Sequence, residues 1–377
     1  MTSRTHAVAS MTHLEPARAP EHGTLIAFIG SRTTRERNAR GDGITVCAVD
    51  EASGALRPLQ VLGGLVNPSY LAMAADGRTL HAVHGDGHTA SALRIDAGSG
   101  RLSLLATQEI GGRNPVHLVH TRDGRHLLVT DHLGASIAVL PVADDGRLQP
   151  PAQRLPITGT PGPHRIEQPH AKPHYAGFSA CGRWLLVPDK GLDRVFVRRW
   201  DGQRLIEDSG SAMVAREGAG PRHLAVHPHA PWVWIVNELD STVTTAHLDG
   251  ETGTLQPLET RSTLSPRHTG HSRAAAIQVA ADGRTVYTSN RGEDSIAVFA
   301  VDPADGSLTL RQTVASGGRT PRFITPGPDG RWLYALNEDS DTVTTFAVDP
   351  EDGTLTPTGR PLSCGSPVCL VFHRLPA

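Results

Sequence analysis

Residues 67–107 read NPSYLAMAADGRTLHAVHGDGHTASALRIDAGSGRLSLLAT. Four short β-rich stretches stand out in it: Tyr70 to Met73, Leu80 to Val83, Ser91 to Ile95 and Leu102 to Thr107. Asp76-Gly77-Arg78 separates the first two and reads as a hairpin turn, because glycine takes a positive φ without a Cβ clash. A second turn, an aspartate followed by a short polar stretch and Gly100-x-Leu102, precedes the last. The segment is therefore a unit of two hairpins and four strands.

Moving outward, the same unit returns along the chain. The Gly-x-Leu turn recurs at Gly54/Leu56, Gly100/Leu102, Gly146/Leu148, Gly253/Leu255, Gly306/Leu308 and Gly353/Leu355, with a degenerate copy at Asp201-Gly202 before Leu205. Successive leucines lie 46 to 57 residues apart. Between them the Asp-Gly-Arg turn returns at 123–125, 282–284 and 329–331, as Cys181-Gly182-Arg183, and as Pro228-His229-Ala230 in one unit. Four strands per period of roughly 40 to 50 residues predict propeller blades rather than a helical solenoid. At the start, Thr24 to Gly30, Ile44 to Val49 and Leu56 to Leu62 supply only three strands, and Pro367 to Phe372 is a lone strand at the end. Three plus one make a blade, which removes the open sheet edge. The expected fold is all-β: a seven-bladed β-propeller over residues 23–377, four antiparallel strands per blade, closed by pairing the two termini.

Bulk composition narrows the function. With 36 Lys+Arg against 38 Asp+Glu the net charge is −2, so there is no basic field for nucleic acid. No apolar run approaches the roughly 20 residues of a membrane span. Residues 1–22 mix polar, basic and proline positions and read as a disordered extension, not a secretory signal. The four cysteines Cys47, Cys181, Cys364 and Cys369 do not form a disulfide framework; a bridge or half a metal site at Cys364 and Cys369 is conceivable, but buried free thiols and a cytoplasmic setting fit better. No metal and no cofactor is expected, since neither clustered carboxylates nor paired ligand spacings occur. The sequence leaves the oligomeric state open.

Candidate site residues occupy repeated steps. At the head of the innermost strand stand Asn114-Pro115-Val116-His117, Lys172-Pro173-His174, Gly220-Pro221-Arg222-His223 and Thr320-Pro321-Arg322. After the next strand come Asp131-His132, Asp189-Lys190, Asn237-Glu238, Asn290-Arg291 and Asn337-Glu338. Asn and Asp are explained by the turn itself. Glu238 and Arg291 are not, since a long charged side chain adds nothing to a turn that its neighbour already makes.

These segments carry a resemblance. Gly220-Pro221-Arg222-His223, Val236-Asn237-Glu238-Leu239, Ser289-Asn290-Arg291-Gly292, Gln168-Pro169-His170-Ala171-Lys172-Pro173-His174 and Val187-Pro188-Asp189-Lys190-Gly191-Leu192-Asp193-Arg194 resemble the signature of the propeller-type 6-phosphogluconolactonases, from about residue 24 to the C-terminus. The resemblance implies hydrolysis of an anionic sugar lactone, a step of the pentose phosphate pathway. The same family includes fungal enzymes that cyclise carboxymuconate, whose His, two Arg and Glu would fall on His174, Arg222, Glu238 and Arg291; His117, His223 and Arg322 would then contact substrate. Whether His170 or His174 reaches the channel stays open, though the spacing to Cys181-Gly182-Arg183 favours His174. Asp131-His132-Leu133-Gly134 departs from the Asn-Tyr-x-Ser-Gly of many relatives. Lactone hydrolysis needs an activated water, a stabilised oxyanion and a grip on an anionic group. His174 or Glu238 would serve as base, Arg222 at the oxyanion and Arg291 at the anion. The alternatives are a lactone-forming cycloisomerase and a non-catalytic binding scaffold, the latter disfavoured by an aromatic content of 4%.

Overall fold

The computed structural model describes residues 23–207 and 212–376; the extension expected over residues 1–22 lies outside the described residues. The described chain forms seven antiparallel sheets. Blades 1 to 6 begin at inner strands Pro68–Met73, Pro115–His120, Gly177–Phe178, Pro221–Val226, Arg273–Val279 and Pro321–Pro326 and run outward in chain order. Blade 7 is composite: Pro367–Arg374 is its inner strand, followed outward by Leu25–Ser31, Ile44–Val49 and Leu56–Leu62. Phe28 pairs with Val371 on one side and Val46 on the other, so the ends of the chain are stitched into one sheet. Among the described residues six blades have four strands each; blade 3 fills four positions with five, its outer position shared by Leu205–Ile206 and Ala212–Val214, where the sequence had a degenerate turn.

The repeated glycine turn locks neighbouring blades together. Tyr334 donates its hydroxyl to the Gly54 carbonyl at 3.0 Å, Tyr287 to Gly353 at 2.9 Å, and the Trp234 indole N–H to Gly306 at 2.9 Å, each from one blade to the next. Gly54 and Gly306 have φ of +71° and +72°, and a Cβ at either would lie 2.6 Å from Trp332 or Trp232. Both conformation and space therefore demand glycine. The turn leucine is held as well: Gln60 exchanges two hydrogen bonds with the backbone of Leu102, and Gln312 does the same with Leu355. Apolar side chains fill the space between facing blades, with Trp234, Tyr287, Tyr334, Phe28 and Phe299 fully buried. Cys47, Cys364 and Cys369 are buried free thiols, as expected, and Cys181 is an exposed one. Among the described residues no helix is long and apolar enough to cross a membrane.

Candidate active site

Strand register brings chain-distant residues to one level of the channel. Near the head of each inner segment one residue pairs with the neighbouring strand at an equivalent step: Pro68 with His84, Pro115 with Asp131, Pro173 with Asp189, Pro221 with Asn237, Ala274 with Asn290, Pro321 with Asn337, Pro367 with Ser31. One residue further along lie Gly85, His132, Lys190, Glu238, Arg291, Glu338 and Arg32. The asparagines behave as turn residues: Asn237 Nδ2 donates to the hydroxyls of Thr242 and Thr244 at 2.9 and 3.0 Å, and Asn290 Nδ2 to the Thr263 carbonyl at 2.8 Å. The residue after each is released into the channel mouth.

Glu238 is the centre of the charge cluster. It is 3% exposed, with Oε2 2.9 Å from Arg222 Nε and 3.2 Å from an Arg291 guanidinium nitrogen. Its Oε1 lies 3.2 Å from Lys190 Nζ and 3.6 Å from Arg273. Glu167 braces the same cations, at 3.0 Å from Lys190 and 2.7 Å from Arg273. Burial alone would raise the Glu238 pKa, but the charges of Arg291, Lys190 and Arg222 outweigh it and hold the carboxyl well below its usual range. Arg222 also donates to the Ala275 carbonyl, so two arms of its fork are fixed.

Below this charged level lies a floor of rings. His117 packs 4.3 Å from Tyr70 and 4.0 Å from Tyr175 between ring centroids; His223 is 5.0 Å from Tyr175, and Tyr70 is 5.9 Å from Phe323. His174 sits 5.3 Å from His223 and 5.0 Å from His132. Burial, with the nearby Arg222 charge, lowers His117 to about 3 and pushes His174 and His223 well below the usual imidazole range. Burial and Lys190 lower His132 to about 3. These imidazoles are neutral at physiological pH, and proton positions follow from their partners: His117 Nδ1 accepts the Ala176 N–H at 3.3 Å, whereas His132 Nδ1 donates to the Pro173 carbonyl at 3.1 Å.

Between the two levels is a narrow cavity of about 20 Å³, lined by Arg32, Ser69, His174, Arg222, His223 and Arg322 among others. Ser69 Oγ, Arg32 Nε, His174 Nδ1 and His223 Nε2 are all buried without a hydrogen-bond partner. Most buried polar atoms in proteins have a partner, so the gathering of four unpartnered ones around one cavity sets this place apart. Tyr70 and His223 also line a larger chamber, about 500 Å³, on the far side of the floor. The rings thus divide the channel in two.

Of the residues singled out in the sequence, Arg222, Glu238 and Arg291 are in direct contact, and His174, His223 and Arg322 share the cavity with Arg222. His174 is buried at the channel while His170 is exposed, its ring bonded to the Ala171 carbonyl, which decides between the two imidazoles. His117 is packed within the floor rather than lining the cavity. Sequence reasoning missed Arg32, Ser69, Arg273 and Glu167. Arg32 stands at the same step as Glu238, a signal available only once blade 7 is assembled in register; Glu167 lies in an insertion outside the repeat.

The fold is a propeller whose hub gathers charged and polar groups from several blades. The chain belongs to the lactonase family of seven-bladed β-propellers, whose family model matches residues 26–372. It is 33% identical over 302 residues to the 6-phosphogluconolactonase of Bacillus subtilis, covering 79% of this chain and 83% of that one. The 6-phosphogluconolactonase of Formosa agariphila is 29% identical, covering 78% and 84%. Among solved structures, the periplasmic gluconolactonase of Pseudomonas aeruginosa superposes with a TM-score of 0.85 at 31% identity, covering 94% of this chain and 100% of that one.

Proposed function

We propose that this protein hydrolyses a sugar lactone to its aldonic acid, with 6-phosphogluconolactone as the substrate suggested by its relatives. The observation that carries the assignment of roles is the contrast between Glu238, saturated by four cations, and His174, whose Nδ1 is buried, neutral and without a partner. Both Glu238 oxygens are occupied by cations, which leaves it no free position at which to take a proton. His174 has the free lone pair. In this reading His174 takes a proton from water as the water oxygen adds to the lactone carbonyl. The carbonyl electron pair moves onto oxygen beside Arg222, whose fork is held by Glu238 and the Ala275 carbonyl. The ring C–O bond then breaks, and the departing alkoxide recovers the proton from His174. Glu238 keeps the guanidinium in place and offsets the crowd of cations. The buried thiols support a reducing, cytoplasmic setting.

The test follows acid release from 6-phosphogluconolactone at neutral pH against the spontaneous rate in buffer. The parent should accelerate it, and His174→Asn should lose about 10²- to 10⁴-fold in kcat while melting near the parent temperature. A parent rate equal to buffer would sink the hydrolase reading; a His174→Asn rate equal to the parent would move the base elsewhere.

A further inference from the structure

Across the channel from His174 and Arg222, on blades 7, 1 and 6, is a group of polar residues that the mechanism above does not use. Arg32 is 4% exposed, yet its ion pairs are long: 3.3 Å to Asp86 and 4.0 Å to Glu338. Each of those carboxylates is shared. Asp86 also takes two bonds from Arg37 and one from Asn67, and Glu338 takes Arg322 at 3.3 Å. Arg32 Nε is left with no hydrogen-bond partner, and so is the buried Ser69 hydroxyl.

Gly85 explains how these two groups meet. Other blades place His132, Lys190, Glu238, Arg291 or Glu338 at its step, but a Cβ at Gly85 would lie 2.6 Å from an Arg32 nitrogen and 2.7 Å from Ser69 Oγ. The missing side chain therefore lets a guanidinium and a hydroxyl come together against the backbone, and both line the narrow cavity. Arg322 and Arg222 line the same cavity, and no carboxylate lines it. Burial together with the Arg322 charge lowers Arg32 to about 10, as expected of guanidiniums crowded away from water. Such crowding is relieved by an anion that accepts from both.

We propose that Arg32, Arg322 and Ser69 form an oxyanion subsite that holds the phosphate or carboxylate of the lactone. This rests on the hydrolase reading and extends it: one anionic oxygen enters the water-sized cavity beside Arg32, Ser69 and Arg322, and the sugar ring stays outside it.

The experiment compares the parent, Arg32→Lys and Ser69→Ala on three lactones: 6-phosphogluconolactone, a carboxylate-bearing glucarolactone and neutral glucono-δ-lactone. Selectivity for an anionic over the neutral lactone should fall at least about ten-fold in Arg32→Lys and by less in Ser69→Ala, mainly through KM. The anionic lactone that loses more identifies the oxyanion. Inorganic phosphate, titrated into the full-length protein, should raise the parent's melting temperature and raise that of Arg32→Lys less. Should Arg32→Lys fail to fold, Ser69→Ala carries the same comparison. Unchanged selectivity in folded variants, together with equal phosphate protection, would overturn the subsite. If the parent hydrolyses no lactone, the hydrolase reading fails, and the phosphate titration alone decides whether the subsite exists.

Discussion

Arg222 and His223 are consecutive on one inner strand, and they belong to different electrostatic regimes. Arg222 joins a level of the channel where ionised groups surround Glu238, a carboxylate shared by four cations. His223 belongs to a level where titratable rings have given up their charge and pack as aromatics. The same alternation separates Arg322, paired with Glu338, from its neighbour Phe323, packed on Tyr70. What separates the levels is how burial was compensated. A buried charge survives where opposite charge is within hydrogen-bond reach, and a buried imidazole without a carboxylate partner stays neutral.

The sharpest way to break this contrast is Glu238→Gln. Removing the carboxylate leaves Arg222, Arg291, Lys190 and Arg273 without their shared counterion, so denaturant unfolding should show a loss of about 3 to 5 kcal/mol. Lactone turnover should fall toward the uncatalysed rate. An unchanged midpoint would mean that Glu167 suffices to hold the cations.

Acid probes the ring level instead. His117 and His132 are lowered to about 3 in the folded protein, so below their ordinary pKa near 6.5 the unfolded chain binds protons that the folded chain refuses. Their contribution is complete above that value and is lost as pH falls toward the folded pKa. Between pH 6.5 and about 4.5 each should remove roughly 2 to 3 kcal/mol. His117→Phe should flatten that slope by one imidazole's share, measured as denaturation midpoint against pH. A parallel slope in the variant would show that His117 is already charged. The smallest effect belongs at the outer edge of the charged level: Arg37 is 43% exposed in its pair with Asp86, so Arg37→Ala should cost no more than about 1 kcal/mol in urea unfolding.

The fold was legible because the residues that repeat are the ones that lock blades. Gly54 and Gly306 recur because a tyrosine or tryptophan of the adjoining blade bonds to their carbonyls with no room for a side chain. Their spacing therefore reports blade count directly. Gln60 and Gln312, which hold the turn leucines, went unnoticed because a glutamine on an outer strand reads as surface. Half of the site was legible for a different reason: Glu238 and Arg291 follow asparagines that already complete their turns, so their charges stood out. Arg32 follows Ser31, with no asparagine or glycine to mark the step, and its equivalence to Glu238 depends on register between Leu25–Ser31 and Pro367–Arg374, more than 300 residues apart in the chain. Gly85 was silent because its importance lies in what it lacks.

The stitched blade ties the proposed anion subsite to ring closure. Arg32 follows Leu25–Ser31, and the sheet that fixes it needs Pro367–Arg374 from the other side of the seam. The strand that closes the wheel is thus also the one that positions the Arg32 guanidinium, so loosening the seam would disturb that subsite before any other part of the hub.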